Sequence, residues 1–275
     1  MRVCVMLACY NRKEMTYSCL KNITQQTTKM PEYEFDFYVY DDGSSDGTGE
    51  LIKKEFPKVN LMEGEGLSFW CKSMHHIMCE AVKKDYNFYL AVNDDVEFDA
   101  CALETMFHSY FLAGCNCGIV GTTKSFDTGE ITYGGRNFKK ELVEPDAVLR
   151  QCYWANWNCF LIDNIVIKKI GIIDGKYQHA WGDFDYSYMM QKAQIPIYVA
   201  IDYVGQCNYD SPQGSYQDSE VYWKKRLEKL NSPKGIPFYS YLRFNVRTDG
   251  LAGLIKAIYG YSSYVWHIIR GMDIE

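Results

Sequence analysis

Two neighbouring carboxylates, Asp94 and Asp95, are the strongest chemical signal in this sequence of 275 residues. With Asn93 they follow Phe88–Val92, an apolar run that has the length of a buried strand. Adjacent carboxylates are costly unless a positive charge neutralises them. A hard divalent ion that carries a diphosphate would do this with oxygen ligands. We therefore predict a divalent cation, Mn²⁺ or Mg²⁺, at Asp94 and Asp95, the alternative being a solvated loop.

A second acidic stretch, Asp41–Thr48, follows the apolar run Phe35–Tyr40. It contains three acids, two glycines and small hydroxyl residues. A carboxylate here could accept a hydrogen bond from a pyrimidine N3–H, and the glycines would permit close backbone approach. The alternative is a loop in which Ser or Asp caps the next helix. A phosphatase nucleophile loop is disfavoured because Gly43 stands where its second Asp would be.

A third acidic cluster lies within His179–Tyr186, where Asp183 and Asp185 stand two residues apart among aromatic side chains. An acid in such surroundings can have a raised pKa and serve as the general base for an incoming hydroxyl. The alternative is a capping cluster for a helix over Tyr186–Ala193. These residues alone leave both interpretations open.

The elements around these acids alternate between strands and helices. The strands are predicted over Arg2–Ala8, Phe35–Tyr40, Val59–Met62 and Phe88–Val92, and the helices over Asn11–Gln25, Gly49–Phe56, Trp70–Lys84 and Ala100–Phe111. Such alternation predicts right-handed βαβ units and a mostly parallel sheet with helices on both faces. Ligands of these sheets bind at the carboxyl ends of the strands, so residues 41–42 and 94–95 should share one crevice. After about residue 122 we expect a mixed half, richer in antiparallel strands.

Composition is that of a folded protein, with 47% hydrophobic and 23% charged residues. The net charge of −6 argues against nucleic acid as the main partner. The charge is uneven, because residues 220–271 carry nine Lys/Arg against three Asp/Glu and leave the rest near −12. The sequence therefore predicts an acidic body with a basic, aromatic tail.

Cysteine usage and hydropathy bear on the compartment. The eleven cysteines include no CxxC pair, so a zinc site is disfavoured. The chain begins with a strand-like segment and has no uncharged apolar run of about 18 residues. We expect a reduced cytoplasmic protein without a membrane span.

Seven motifs occur in an order that resembles family 2 glycosyltransferases of the GT-A fold, close to the rhamnosyltransferase-like branch. The motifs are Ala8–Arg12, Asp41–Thr48, Gly64–Leu67 leading to Trp70, Leu90–Val96, Tyr133–Gly135, Trp157–Ile162 and His179–Tyr186. They cover roughly residues 1–205. The resemblance implies an α/β fold with a Rossmann-like, mostly parallel sheet. It implies a catalytic domain over 1–215, with a nucleotide-binding half (1–122) and an acceptor half (123–215), and an appendage over 216–275.

The resemblance also implies an activity. Such enzymes move a sugar, with inversion, from a nucleoside diphosphate sugar to an acceptor hydroxyl. Here we expect a dTDP- or UDP-sugar donor and a glycan or lipid-linked acceptor in surface polysaccharide synthesis. A nucleotidyltransferase is an alternative, but Ala8–Arg12 lacks the Gly-rich basic loop it would need. A catalytically silent sugar-nucleotide-binding module is a second alternative, against which the acidic clusters speak.

Site residues follow from the same resemblance, by position. Nucleotide binding is expected from Cys9, Tyr10, Asn11, Arg12, Asp41, Asp42, Gly66, Trp70, Asn93 and Asp94. Asp95 would be the more direct metal ligand, Asp183 the catalytic base and Asp185 a supporting acid. The sugar and acceptor pockets would be bordered by Trp154, Trp157, Asn158, His179 and Trp181. Related enzymes often have a metal-reaching His near the position of Asn208, so the sequence predicts no ligand from that side and a low metal affinity.

The C-terminal segment Leu251–Ile269 is apolar and aromatic, with basic residues nearby at Arg243, Arg247, Lys256 and Arg270. It is too interrupted to span a bilayer. Residues 243–271 could instead contact the inner face of a membrane peripherally, attracted by anionic headgroups or a lipid diphosphate acceptor. The alternative is an appendage packed on the catalytic domain or on a second subunit in a homodimer.

Overall fold

The computed structural model describes residues 1–114 and 116–272. Its strands are β1 (Arg2–Cys9), β2 (Glu34–Asp41), β3 (Asn60–Glu63), β4 (Phe88–Asn93), β5 (Glu97–Phe98), β6 (Gly118–Lys124), β7 (Gly135–Arg136), β8 (Arg150–Cys152), β9 (Trp154–Ala155), β10 (Cys159–Asp163) and β11 (Ile197–Gln206). Its helices are α1 (Lys13–Thr27), α2 (Thr48–Glu55), α3 (Phe69–Ala81), α4 (Ala102–Ala113), α5 (Asn164–Ile170), α6 (Gly182–Lys192), α7 (Trp223–Leu230) and α8 (Phe238–Ile269).

The main sheet has the order β3-β2-β1-β4-β10-β6-β11-β5. Strand β8 also pairs with the first residues of β11, Ile197 to Val199. The first four strands in this order are parallel. Strand β10 is antiparallel to both β4 and β6, and β11 is parallel to β6 but antiparallel to β5 and β8. The predicted sheet of parallel strands, followed by a mixed second half, is confirmed.

Alternate side chains of β1 enter two hydrophobic cores, one on each face of the sheet. Val3, Val5 and Leu7 pack in the core that also holds buried residues of α1, α2 and α4. Cys4 and Met6 pack in the core that also holds buried residues of α3, α5 and α6. Helices therefore cover both faces, as the alternation of elements predicts.

The register of the parallel strands brings the acidic loops together. Cys9 at the end of β1 pairs with Asp41 at the end of β2, and Ala8 pairs with Asn93 at the end of β4. The segments after these residues therefore leave the sheet side by side at one edge.

Helix α6 begins at Gly182, four residues before the predicted start. Trp181, directly before it, has a left-handed backbone (φ 79°). Gly182 lies against Cys71, where a Cβ would overlap the sulfur. The absence of a side chain at Gly182 therefore lets the helix start close to α3, and both Asp183 and Asp185 fall in its first turn.

Helix α8 is a hairpin with a sharp break at Gly250, whose backbone angles are non-helical (φ 61°, ψ −132°). The second half returns along the first, because Gly253 lies against the backbone of Asn245 and Gly260 against Tyr241. Any side chain at Gly253 would overlap the Asn245 carbonyl. Within the described residues, no helix is long and apolar enough to cross a membrane.

The first half of α8 docks on the rest of the protein. Phe244 is buried beside Trp154 and Trp181. Arg243 forms an ion pair with Asp174, and Arg247 forms ion pairs with both Asp174 and Asp185. Both arginine side chains are thus engaged in ion pairs, and the predicted peripheral membrane contact of residues 243–271 stays a prediction. The predicted boundary at 215/216 stays a prediction.

Candidate active site

A cavity of about 620 Å³ opens at the edge where β1, β2 and β4 end. Most of the residues predicted for the site line it. These are Cys9, Tyr10, Arg12, Asp42, Gly66, Trp70, Asn93, Asp94, Asp95, Trp157, Asn158, His179, Trp181 and Asp183. The structure therefore brings the acidic pair and the third acidic cluster into one space, although they are about 90 residues apart in sequence.

Asn11 and Asp41 do not line this cavity. The Asn11 side-chain oxygen accepts a hydrogen bond from the backbone N–H of Ser45 (2.8 Å). The buried Asp41 carboxylate accepts one from the N–H of Ser44 (2.9 Å). Both side chains fix the fold of the 41–48 loop, and their predicted contact with the nucleoside has no support at the cavity wall.

Trp154 and Asp185 are likewise outside the cavity lining. Trp154 packs its ring against Phe184 and Phe244. Asp185 is buried and accepts a hydrogen bond from the Tyr177 hydroxyl (3.1 Å). The predicted role of Trp154 as a pocket residue and that of Asp185 as a supporting acid therefore have no support from the cavity lining.

Asp42 lines the cavity and anchors the start of α3. Its carboxylate accepts hydrogen bonds from the backbone N–H groups of Ser68 (2.9 Å) and Phe69 (2.8 Å). Trp70, the next residue, donates its indole N–H to the Asn93 side chain (2.9 Å). Asp42 thus positions one wall of the cavity through the backbone of α3.

Arg12 bridges the acidic pair. Its Nη1 lies 3.0 Å from Asp94 Oδ1 and 2.8 Å from Asp95 Oδ2. The second oxygen of Asp94 accepts a hydrogen bond from the Thr16 hydroxyl (3.1 Å). Burial raises the pKa of Asp94 to about 6, although Arg12 acts in the opposite direction. Both oxygens of Asp94 are therefore already engaged.

Asp95 presents an oxygen that suits a cation. Its Oδ1 is buried and has no hydrogen-bond partner within residues 1–114 and 116–272. A carboxylate oxygen of this kind fits a hard divalent ion, whose remaining ligands would be water and phosphate oxygens. Of the acidic pair, Asp95 is therefore the residue that could hold such an ion directly, with Asp94 beside it.

The protein offers the ion few further ligands. No group of three His, Cys, Asp or Glu side chains that could hold a metal occurs in the described part of the chain. Asn208 accepts hydrogen bonds from Ser125 and from the Phe126 N–H and donates to Asp127, so its amide is engaged elsewhere. Asp210, two residues later, lines the cavity.

Asp183 stands at the start of α6 and faces the cavity. Its Oδ1 accepts the backbone N–H of Phe184 (2.9 Å), and its Oδ2 accepts the side-chain amide of Asn156 (3.3 Å). Burial raises the pKa of Asp183 to about 6. A carboxylate with this pKa is a better proton acceptor than an ordinary aspartate and is still largely ionised at neutral pH.

Several other buried polar atoms of the cavity wall have no hydrogen-bond partner in the described structure. They are Asn156 Oδ1, Trp157 Nε1, His179 Nδ1 and Trp181 Nε1, in addition to Asp95 Oδ1. Buried polar groups are almost always hydrogen-bonded in folded proteins. A set of unpartnered donors and acceptors around one cavity therefore indicates a polar ligand.

His179 contributes as a neutral group. Burial lowers its pKa to about 4, and the nearby Lys234 acts in the same direction. An uncharged imidazole can donate or accept one hydrogen bond at each nitrogen. His179 is thus suited to contact a hydroxyl group.

The C-terminal segment supplies part of the cavity wall, which the sequence did not predict. Lys234, Gly235 and Ile236 lie between α7 and α8, and Tyr216 precedes α7. The other lining residues that were missed include Phe69, Tyr133, Phe184 and Asp210. Asn156 lies between Trp154 and Asn158, in the stretch predicted to border the sugar and acceptor pockets. Lys234 lies in the basic tail, and no sequence signal placed it at the cavity.

The family described as "Glycosyl transferase family 2" matches residues 4–143 of this chain. This match covers half of the sequence and includes the acidic pair. The chain therefore belongs to glycosyltransferase family 2. A search of curated proteins finds no match.

Solved structures of glycosyltransferases share the fold. TarS of S. aureus in complex with UDP-GlcNAc has a TM-score of 0.57 and 16% identity over 99% of this chain and 84% of that chain. The mannosyltransferase PcManGT from Pyrobaculum calidifontis, with GDP-Man and Mn²⁺, has a TM-score of 0.56 and 12% identity over 95% and 74%. GalNAc-T7 with UDP, GalNAc and Mn²⁺ has a TM-score of 0.60 and 12% identity over 96% and 55%. The predicted GT-A fold is confirmed, and the rhamnosyltransferase-like branch stays a prediction.

Proposed function

We propose that this protein is an inverting glycosyltransferase that moves a sugar from a UDP- or dTDP-sugar to a hydroxyl of a glycan or lipid-linked acceptor. One observation supports this most directly. A single cavity holds an acidic pair with a free oxygen, a carboxylate with a raised pKa and a ring of unpartnered polar atoms. The acidic pair could hold a cation that binds the diphosphate, the carboxylate could act as the base, and the unpartnered polar atoms could bind the sugar.

The donor half of the proposal rests on Asp95, Arg12 and Tyr10. A divalent ion on Asp95 would supply positive charge to the departing nucleoside diphosphate. Arg12 and Lys234 add positive charge to the cavity wall. Tyr10 is half exposed at this wall and offers an aromatic face to the nucleobase. The UDP-GlcNAc, GDP-Man and Mn²⁺ present in the structures of similar fold favour such a ligand.

Asp183 is our proposed base, because it lines the cavity and burial raises its pKa to about 6. Asp94 is held by Arg12 and Thr16, and Asp185 faces away. Asp183 has no ion pair among the described residues. It would take the proton of the acceptor hydroxyl as that oxygen bonds to the anomeric carbon and the bond to the diphosphate breaks. Attack opposite the leaving group inverts the centre, and one carboxylate suffices.

The two alternative functions are less well supported. A silent binding module would have no use for the half-buried Asp183 carboxylate at the cavity, because its raised pKa shows that holding this charge there costs stability. A nucleotidyltransferase is disfavoured by the family match. Both alternatives predict no sugar transfer, so the same assay tests them.

The acceptor half of the proposal rests on the second half of α8. Its exposed apolar side chains fall on one helical face, which we name the apolar stripe: Leu251, Ile255, Ile258, Tyr259, Trp266 and Ile269. Lys256 and Arg270 border it. A stripe of this kind supports contact of residues 251–270 with the inner face of a membrane that carries the acceptor.

A donor screen tests the proposal. The protein is incubated with Mn²⁺ and a panel of UDP-, dTDP- and GDP-sugars, and release of nucleoside diphosphate is followed. We expect release from a UDP- or dTDP-sugar, with loss of release in Asp95→Asn and Asp183→Asn. Asp85→Asn, which neutralises an exposed acid outside the cavity, is the matched control and should behave as wild type. Release that is equal in all four proteins would contradict the proposal.

A further inference from the structure

The guanidinium of Arg12 occupies the position of a counter-ion to the acidic pair. Its Nη1 contacts one oxygen of each carboxylate, at 3.0 and 2.8 Å. Arginine remains cationic throughout the physiological pH range. The two carboxylates are therefore partly neutralised before any metal binds.

The metal and Arg12 would share one carboxylate. Arg12 contacts Asp95 Oδ2, and the free oxygen is Asp95 Oδ1 of the same group. A divalent ion on Oδ1 would stand a few ångströms from a fixed positive charge. Like charges at this separation repel each other by about 1 kcal/mol or more even with effective screening.

The geometry points to Arg12 as a built-in counter-ion that keeps free cations out until the donor arrives. This inference rests on the proposed function. The diphosphate of a nucleotide sugar brings two negative charges into the cavity that Arg12 lines. Guanidinium groups bind phosphate oxygens in a two-pronged manner. The donor can therefore draw Arg12 away from Asp95 and provide phosphate ligands for the cation in the same step.

The backbone at Arg12 favours movement of the side chain alone. The Arg12 carbonyl accepts the Thr16 N–H at the start of α1 (2.8 Å), which fixes the main chain. About a third of the side chain is exposed (34%). The guanidinium can therefore leave the acids while the helix start stays in place.

Mn²⁺ binding, measured by electron paramagnetic resonance of the free ion with and without UDP, tests this inference. In the wild type, UDP should increase Mn²⁺ affinity strongly. In Arg12→Met, Mn²⁺ alone should bind about tenfold more tightly than to the wild type, and the enhancement by UDP should shrink. Arg12→Lys, which keeps the charge, should resemble the wild type. Arg150→Met, which removes an exposed, ion-paired arginine, is the matched control and should change nothing.

Arg12→Gln serves as a second neutral variant, because it can still donate a hydrogen bond to the acids if the Met variant folds poorly. Unchanged or weaker binding of Mn²⁺ alone in the folded neutral variants would overturn the role of Arg12. That result leaves the proposed function intact, provided that Mn²⁺ and UDP bind the wild type together. If neither the wild type nor any variant binds Mn²⁺, even with UDP, both the inference and the proposed metal site are wrong.

Discussion

Arg247 donates a hydrogen bond to Asp185, with its Nη1 3.0 Å from Oδ2. Asp185 follows the proposed base Asp183 by two residues in the first turn of α6. Asp174, which precedes α6, binds both Arg243 and Arg247. The first half of α8 is thus joined by ion pairs to the helix that carries the base.

Arg247→Met should destabilise the protein by roughly 3 kcal/mol, because it leaves the buried Asp185 carboxylate without its cation. Urea unfolding at neutral pH measures the change. Lys256→Met removes an exposed pair with Asp249 and should cost less than about 1 kcal/mol. Similar losses in both variants would show that the Asp185 pair does not hold the helix in place.

The activity should fall as the pH decreases through about 6. Asp183 must be ionised to accept a proton, and burial raises its pKa to about 6. The acidic limb of the kcat/KM profile reports this pKa in the free enzyme. A profile that is level between roughly pH 5 and 7 would exclude Asp183 as the base.

Asp183→Asn should stabilise the fold at pH 8. The pKa of Asp183 is higher in the folded protein than its ordinary value of 3.8, so the ionised form is disfavoured by folding. Stability is therefore lost as the pH rises from about 4 through about 6. The substitution should increase the free energy of unfolding by on the order of 2 kcal/mol at pH 8 and by much less at pH 4.5.

Urea unfolding of the wild type and the Asn variant at both pH values tests this expectation. A gain of the same size at pH 4.5 would mean that charge burial is not its cause. A loss at pH 8 would mean that the carboxylate is favourably solvated in the fold.

Lys234→Met should weaken UDP binding about tenfold, since the lysine lines the cavity and has no ion pair among the described residues. Calorimetric titration of UDP with Mn²⁺ measures the effect. Lys225→Met removes an exposed lysine of α7 that is outside the cavity and should leave UDP affinity unchanged. Equal affinities of the Lys234 variant and the wild type would place the nucleotide away from this loop.

Serine at Ile255 and Ile258 should reduce binding to vesicles that contain anionic lipids, because these side chains form the centre of the apolar stripe. Co-sedimentation with vesicles of about 30% phosphatidylserine measures it. Val148→Ser, at another exposed apolar residue, is the control. A different outcome would be a wild type that is dimeric, a variant that is monomeric, and equal vesicle binding by both. The stripe would then bind a second copy of the chain and not a membrane.

The parallel half of the fold was predictable because its signals are local. The apolar run Phe88–Val92 forms β4, which extends one residue further, to Asn93. The carboxyl ends of parallel strands lie at the same edge of the sheet. Asp94, Asp95 and Asp42 consequently reach one cavity, as predicted. Helix starts were less accurate, since they depend on caps and tertiary contacts, such as the close approach of Gly182 to Cys71.

The role expected of Asp185 shows where the sequence was insufficient. The predicted helix began at Tyr186, which left Asp183 and Asp185 in a loop. Inside a helix, residues two apart point in nearly opposite directions, so only one of them can face the cavity. Lys234 was missed for a different reason: its contact with the cavity depends on how α7 and α8 pack, and no local pattern encodes that arrangement.

The central claim is that this cavity binds a nucleoside diphosphate through a cation on Asp95. Crystals soaked with Mn²⁺ and UDP test it through the anomalous signal of manganese. We predict one peak within coordination distance of Asp95 Oδ1, with the diphosphate beside it and Arg12 displaced from the acidic pair. A nucleotide bound elsewhere, with no manganese at Asp95, would contradict the account.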